Sequence, residues 1–195
     1  MGVTSGERVK INDPATMRAL AHPARLELLE YLSQSVEGAT ATQCAGVVDL
    51  SPSATSYHLR ALAKVGLIQD APGRGDGRER VWQASHRHYS VGGDPDADPE
   101  EQAAETVLAE VYLARQNEKV RRFLHRREEE RGPWFDVSTI TDQTLAITAE
   151  ELKELLAQVD RVVQPFLRLS RERPPGDARD VSFQIRAVPL APREM

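Results

Sequence analysis

Between Asp13 and Gly66 the sequence is cut into short pieces by helix-start and helix-stop signals, and this punctuation limits the fold more than any other feature. Asp13-Pro14 pairs an N-cap side chain with proline at the first helical position, which opens a short helix to Ala21. His22-Pro23 interrupts it, and Ala24 to Ser33 resumes with Leu26, Leu28, Leu29 and Leu32 on one side. Gly38 breaks the chain again. Thr40 caps a helix from Ala41 to Val48; after Asp49-Leu50, Ser51 with Pro52 behind it opens another, which runs to about Lys64 and stops at Gly66. Leu67 to Asp70 and Arg80 to Ala84 read as short strands joined by residues 71–79, a stretch too rich in glycine and charge to be anything but a loop.

Helix, three-residue break, helix, then a hairpin with a basic loop is the layout of a winged helix-turn-helix. The second helix of the pair can be tested by geometry. At roughly 100° per residue, Thr55, Leu59 and Leu62 point one way and form an inward face. Ser53, Tyr57, Arg60 and Lys64 cluster on the opposite side, with Ser56 at the shoulder and His58 at the edge of the inward face. A helix fits the major groove, and hydroxyls, a phenol and a guanidinium on its outer side are groups that bond base edges and phosphates. Ser51, Ser53, Ser56, Tyr57, His58, Arg60 and Lys64 are therefore the expected DNA contacts, joined by Arg74 and Arg78 on the hairpin loop, which are placed to reach a minor groove or flanking phosphates. Lys64 also sits where it complements the helix dipole, and Tyr57 could equally be a packing residue.

The net charge of −5 hides an uneven distribution. Residues 1–95 are balanced, so the acidic excess lies in residues 96–195, while Arg60, Lys64, Arg74, Arg78, Arg80 and Arg87 outnumber Asp70, Asp76 and Glu79 between Pro52 and Ser90. That is a local anion-seeking surface on an acidic chain. The single cysteine, Cys44, leaves no intrachain disulfide and no Cys-rich metal site, and it reads as a small core residue. His86 and His88 read as solvated groups near the loop, so no metal and no cofactor is expected. There is no run of ~18 apolar residues for a membrane helix and no apolar leader, which makes the cytoplasm the expected location. GxSxG, HExxH and GxxxxGK motifs are absent, and the chain is not expected to be an enzyme.

Leu20-Ala-His-Pro-Ala-Arg-Leu-Glu-Leu-Leu29 and Ser51-Pro-Ser-Ala-Thr-Ser-Tyr-His-Leu-Arg-Ala-Leu-Ala-Lys-Val-Gly-Leu67 together resemble the ArsR-type winged helix-turn-helix transcriptional regulators. The stretch from Gly73 to Trp82, ending in Arg-Glu-Arg-Val-Trp, is similar to their wing, and the likeness spans about Asp13 to Ala84. The resemblance implies a homodimer that binds operator DNA, usually a repressor released by an effector. It also implies that Ser53, Ser56, Tyr57, His58 and Arg60 lie on the recognition helix. The chain departs from the metal-sensing members in having only Cys44 on the preceding helix, which places it with those that do not sense metal through thiols, and it has Asp49 where the turn commonly has glycine.

Residues 1–12 show no periodicity and are expected to be flexible, residues 13–90 form the DNA-binding domain, and residues 91–99 have linker composition. A long helix follows from Glu100 to about Arg131, with Ala104, Val107, Leu108, Val111, Val120, Phe123 and Leu124 in a stripe that is expected to pack against a second copy. Val137 to Ile147 alternates like a strand, Thr148-Ala-Glu-Glu is a capping box for a helix carrying Leu152, Leu155, Leu156, Val159, Val162, Val163 and Phe166, and Val181 to Val188 reads as a final strand. Pro165 should kink or end the helix. The expected architecture is mainly α with small β: a winged helix-turn-helix, a long dimerisation helix and a C-terminal strand-helix-strand region, so that residues 100–195 carry dimerisation and a possible effector site. Trp134 and Phe135 either cover a helix junction or line a pocket for an apolar small molecule. The alternative function is a winged helix that binds another protein and no specific DNA.

Overall fold

The structure is a computed structural model that describes residues 8–71, 79–86, 88–91, 96–126, 129, 132–167 and 175–191. It divides into two compact units, residues 1–138 and 139–195.

In the first unit the helix boundaries follow from the caps. Helix α1 (Pro14–Leu20) starts where Asp13 accepts hydrogen bonds from the Thr16 amide at 2.8 Å and the Thr16 hydroxyl at 2.6 Å. Helix α2 (Pro23–Gln34) is capped two residues after α1 ends: Nδ1 of His22 accepts from the Ala24 amide at 3.2 Å. Thr40 and Gln43 form a reciprocal capping box at the start of α3 (Ala41–Val48), and Oγ of Ser51 accepts from the Ala54 amide at the start of α4 (Pro52–Lys64). Asp49 makes the turn between α3 and α4 in the left-handed region, at φ 52 and ψ 46. A short polar side chain tolerates that conformation, so the bend needs no glycine.

Two strands flank this part early in the chain, β1 (Arg8–Ile11) and β2 (Ala39–Thr40), and three follow α4: β3 (Ile68–Asp70), β4 (Val81–Ala84) and β5 (His88–Val91). The antiparallel sheet has the order β2-β4-β3, with Ala39 opposite Trp82 and Ile68 opposite Ala84. Leu28, Leu32, Cys44, Leu59, Leu62 and Ile68 are buried between the sheet and α2, α3 and α4, each large side chain contributing about 1.5–3 kcal/mol. The expected helix-turn-helix and hairpin are both present.

Residues 8–11 are not a loose end. They run parallel to β5, with Ile11 opposite Val91 and buried, so the expectation of a flexible residue 1–12 segment fails for 8–11; residues 1–7 lie outside the described ones. The stretch expected to be a linker begins with Val91 in β5 and ends with Pro99 opening α5 (Pro99–His125), capped reciprocally by Asp98 and Glu101. Helix α5 stops at His125, short of the expected Arg131, and it belongs to the first unit. Its Ala104 and Leu108 join the common core, and α1 and α2 pack against it. Arg115 of α5 lies 3.0 Å from carboxylates of both Glu27 and Glu30 of α2, and Lys119 also pairs with Glu30. Part of the stripe expected to face a second copy is thus spent within the chain. Val107, Tyr112, Leu113 and Leu124 remain exposed. Helix α6 (Pro133–Asp136) places Phe135 against Phe123, ring centroids 6.3 Å apart, which favours the junction-covering reading for this pair.

In the second unit, α7 (Ala149–Val163) starts at the expected Thr148–Glu151 capping box, and Pro165 falls in a 3-10 turn, Gln164–Phe166, that ends it. The strands expected at 137–147 and 181–188 are absent: both stretches lie outside any ladder. Ser182, Gln184 and Arg186 bond one another along one side, and Val181, Phe183 and Ile185 are exposed. The alternation is there, but a strand exists only with a partner for its backbone.

Candidate nucleic-acid interface

Helix α4 buries Thr55, His58, Leu59 and Leu62 and exposes Ser51, Ser53, Tyr57, Arg60 and Lys64, with Ser56 half-buried. The inner side is the one the helical repeat assigned. Tyr57 is 59% exposed, which leaves its ring and hydroxyl free of the core. Ser51 is committed to the helix cap through its oxygen, and its hydroxyl proton remains available to an outside acceptor. Lys64 stands in the last turn, where its charge also complements the helix C-terminus.

His58 departs from the expected contact set. It is only 9% exposed, and its ring faces His22 at a centroid distance of 4.5 Å, so it has little surface to offer a phosphate. Burial, then the neighbouring His22 and Arg25, hold its pKa below the ordinary histidine range. Tyr57 meets the same ring edge-on at 5.4 Å, and the Arg25 guanidinium lies 6.0 Å from the Tyr57 ring centre.

A cavity of about 280 Å³ opens beside the outer face of α4, lined by Thr40 and Thr42 at the start of α3, Ser56 and Arg60 of α4, and Glu79, Arg80 and Trp82 leading into β4. Arg80 is held in a fixed direction. Its Nη2 donates to Asp70 at 2.5 Å, its Nε donates to the other oxygen of the same carboxylate, and its guanidinium lies 4.2 Å over the Trp82 ring. The bidentate pair keeps the Asp70 carboxyl below its usual range. Two arginines from different elements therefore border one cleft together with the amino end of a helix and the Glu79 side chain, Arg80 with its charge met by Asp70 and Arg60 exposed.

Arg80, Thr42 and His22 were not among the expected site residues. Arg80 and Trp82 are two apart, so an extended chain puts them on one side, and that spacing was the available signal. Nothing local marks Thr42 or His22, whose partners lie 14 residues or more away in α4. Arg74 and Arg78, expected on the wing, lie outside the described residues. Cys44 is fully buried, and burial pushes its thiol up to about 11. Among the described residues no group of three or more His, Cys, Asp or Glu side chains is placed to hold a metal ion, and no helix is long and apolar enough to cross a membrane.

Residues 22–70, from the His22 cap through β3, match the family model of bacterial regulatory proteins of the arsR family. The match covers the helix-turn-helix segment, about a quarter of the chain. The match takes in α2, α3 and α4 entire and stops before β4, α5 and α7. Among solved structures, a MarR family transcription regulator aligns at 17% identity over 82% of this chain and 83% of that chain, with a TM-score of 0.31, too low to carry an argument. No curated protein matches. The matched segment, completed by the three-stranded sheet, gives the first unit a winged helix-turn-helix fold.

Proposed function

We propose that the protein is a sequence-specific, DNA-binding transcriptional regulator, a dimeric repressor that reads an inverted-repeat operator through α4 and the wing at residues 71–79. The observation that carries this reading is the two-sidedness of α4 inside the segment similar to the arsR family: Thr55, Leu59 and Leu62 anchor it, while Tyr57, Arg60 and Lys64 stand outward, Arg60 on the cleft bordered by Arg80. Ser53, Tyr57 and Arg60 take base edges in the major groove; Lys64, Arg80, Arg74 and Arg78 take phosphates. The second copy attaches along the exposed side of α5, where Leu113 and Leu124 share a face turned away from buried Leu108. Two-fold symmetry then presents two α4 helices to half-sites roughly 34–36 Å apart. The role is regulatory and not enzymatic, and its place is the cytoplasm.

Selection of duplexes from a random-sequence library, followed by titration at several salt concentrations, tests this reading. Recovery of an inverted repeat whose affinity falls steeply with salt supports it. Failure to enrich any sequence favours the alternative of a protein-binding winged helix, for which the acidic balance of residues 96–195 is the supporting feature.

A further inference from the structure

The contact between His22 and His58 joins the corner between α1 and α2 to the helix assigned to DNA, and the two rings have unusual surroundings. Nδ1 of His22 is the acceptor that caps α2, so that nitrogen carries no proton. Nδ1 of His58 is buried without a hydrogen-bond partner. Arg25 of α2 sits beside them, tied by Nη1 to the Ala19 carbonyl at 2.8 Å, and Tyr57 of α4 rests edge-on against His58. Among the described residues the charges acting on the pair are Arg25 and the rings themselves, and no carboxylate balances them.

We propose that His22 and His58 act as positioning residues for DNA recognition, holding α4 and its Tyr57 against the start of α2 only while both imidazoles are uncharged, so that acidification weakens DNA binding. The inference rests on the DNA-binding reading of α4. A proton on Nδ1 of His22 removes the acceptor that caps α2, and a proton on either ring places a cation against the other ring and Arg25. Both rings are held below the ordinary histidine value of 6.5, first by burial, then by Arg25 for His22 and by His22 and Arg25 for His58. An arrangement that resists protonation is favoured above that value and loses ground as the pH falls below it. Tyr57 lies on the outer side of α4 and touches His58, so loosening the pair moves a residue assigned to the groove.

The test uses the full chain and a duplex enriched from a random library at pH 7.5, with affinity followed from pH 7.5 to 5.5 at constant salt. The wild type is expected to lose on the order of tenfold, and His58→Gln and His22→Asn to flatten the profile; asparagine keeps an N-cap at position 22 while removing the ring. Affinity that holds or rises on acidification in the wild type overturns the proposal, a rise being the mark of an imidazolium on a phosphate. So does a wild-type profile in both variants. Ring-proton NMR titration of the DNA-free chain separates the two ideas. Coupled titration below 6.5, with each ring moved by substitution of the other, supports the pair, and independent titration at the ordinary value overturns it. Failure to enrich any duplex overturns the DNA reading alone and leaves the NMR titration to decide on the pair.

Discussion

Gly38 and Trp82 approach so closely that a Cβ on residue 38 would stand 2.5 Å from the Trp82 carbonyl oxygen. Gly38 also has φ +74, a conformation open to glycine at little cost. The approach is what lets β2 pair with β4 and seat Trp82 over the core. Gly38→Ala is expected to destabilise the first unit by about 2–3 kcal/mol, read as a lower urea midpoint without a change in slope.

Arg115 should be among the most costly charges to remove. It is largely buried between Glu27 and Glu30, with its Nε unpartnered. Arg115→Ala takes the ion-pair partner from the part-buried Glu27 and leaves Glu30 with Lys119 alone, an expected loss of about 3 kcal/mol. Arg18→Ala, which breaks the exposed pair with Glu100, is expected to cost less than about 1 kcal/mol. Urea unfolding of the two variants checks the contrast, and equal losses would contradict the assignment.

The same cluster gives stability an acid limb. Glu30 is half-buried, which alone would raise its pKa, but the hydrogen bonds and charges of Lys119 and Arg115 bring it below the usual 4.5. A depressed carboxyl stabilises the fold above its unfolded value and loses that contribution as the pH falls through its folded value. Between pH 5 and pH 3 the unfolding midpoint of the wild type should drop more than that of Glu30→Gln.

Cys44 should be inert in the folded chain. With the thiol buried and pushed up to about 11, almost no thiolate exists at pH 8. A thiol reagent is expected to leave the native protein unmodified and to react promptly after unfolding in guanidinium. Rapid modification of the native chain would mean that the α3 region opens readily.

Helices α1 to α4 were legible because their signals are local. Asp13, Thr40 and Ser51 each cap within three residues of themselves, and the α3 and α4 boundaries fall where those residues put them. The two-sidedness of α4 was legible for the same reason, since Thr55, Leu59 and Leu62 follow the helical repeat. Pairings between distant residues were not legible. Arg8–Ile11 becomes a strand only because His88–Val91 is there to meet it, and Ala39–Thr40 is too short to show a period. Residues 181–188 show the converse: alternation without a partner gives extended chain and no ladder. The burial of His58 was not legible, because the wheel put it at an edge and only the fold brings His22 against it.

The outward face of α4 is the centre of the account, and the exposed Arg60 is its cationic test. Affinity of Arg60→Ala for the selected duplex, compared with wild type across a salt series, is expected to be lower by about 1–3 kcal/mol with an unchanged unfolding midpoint. Wild-type affinity in a folded Arg60→Ala chain would contradict the assignment of this face to DNA.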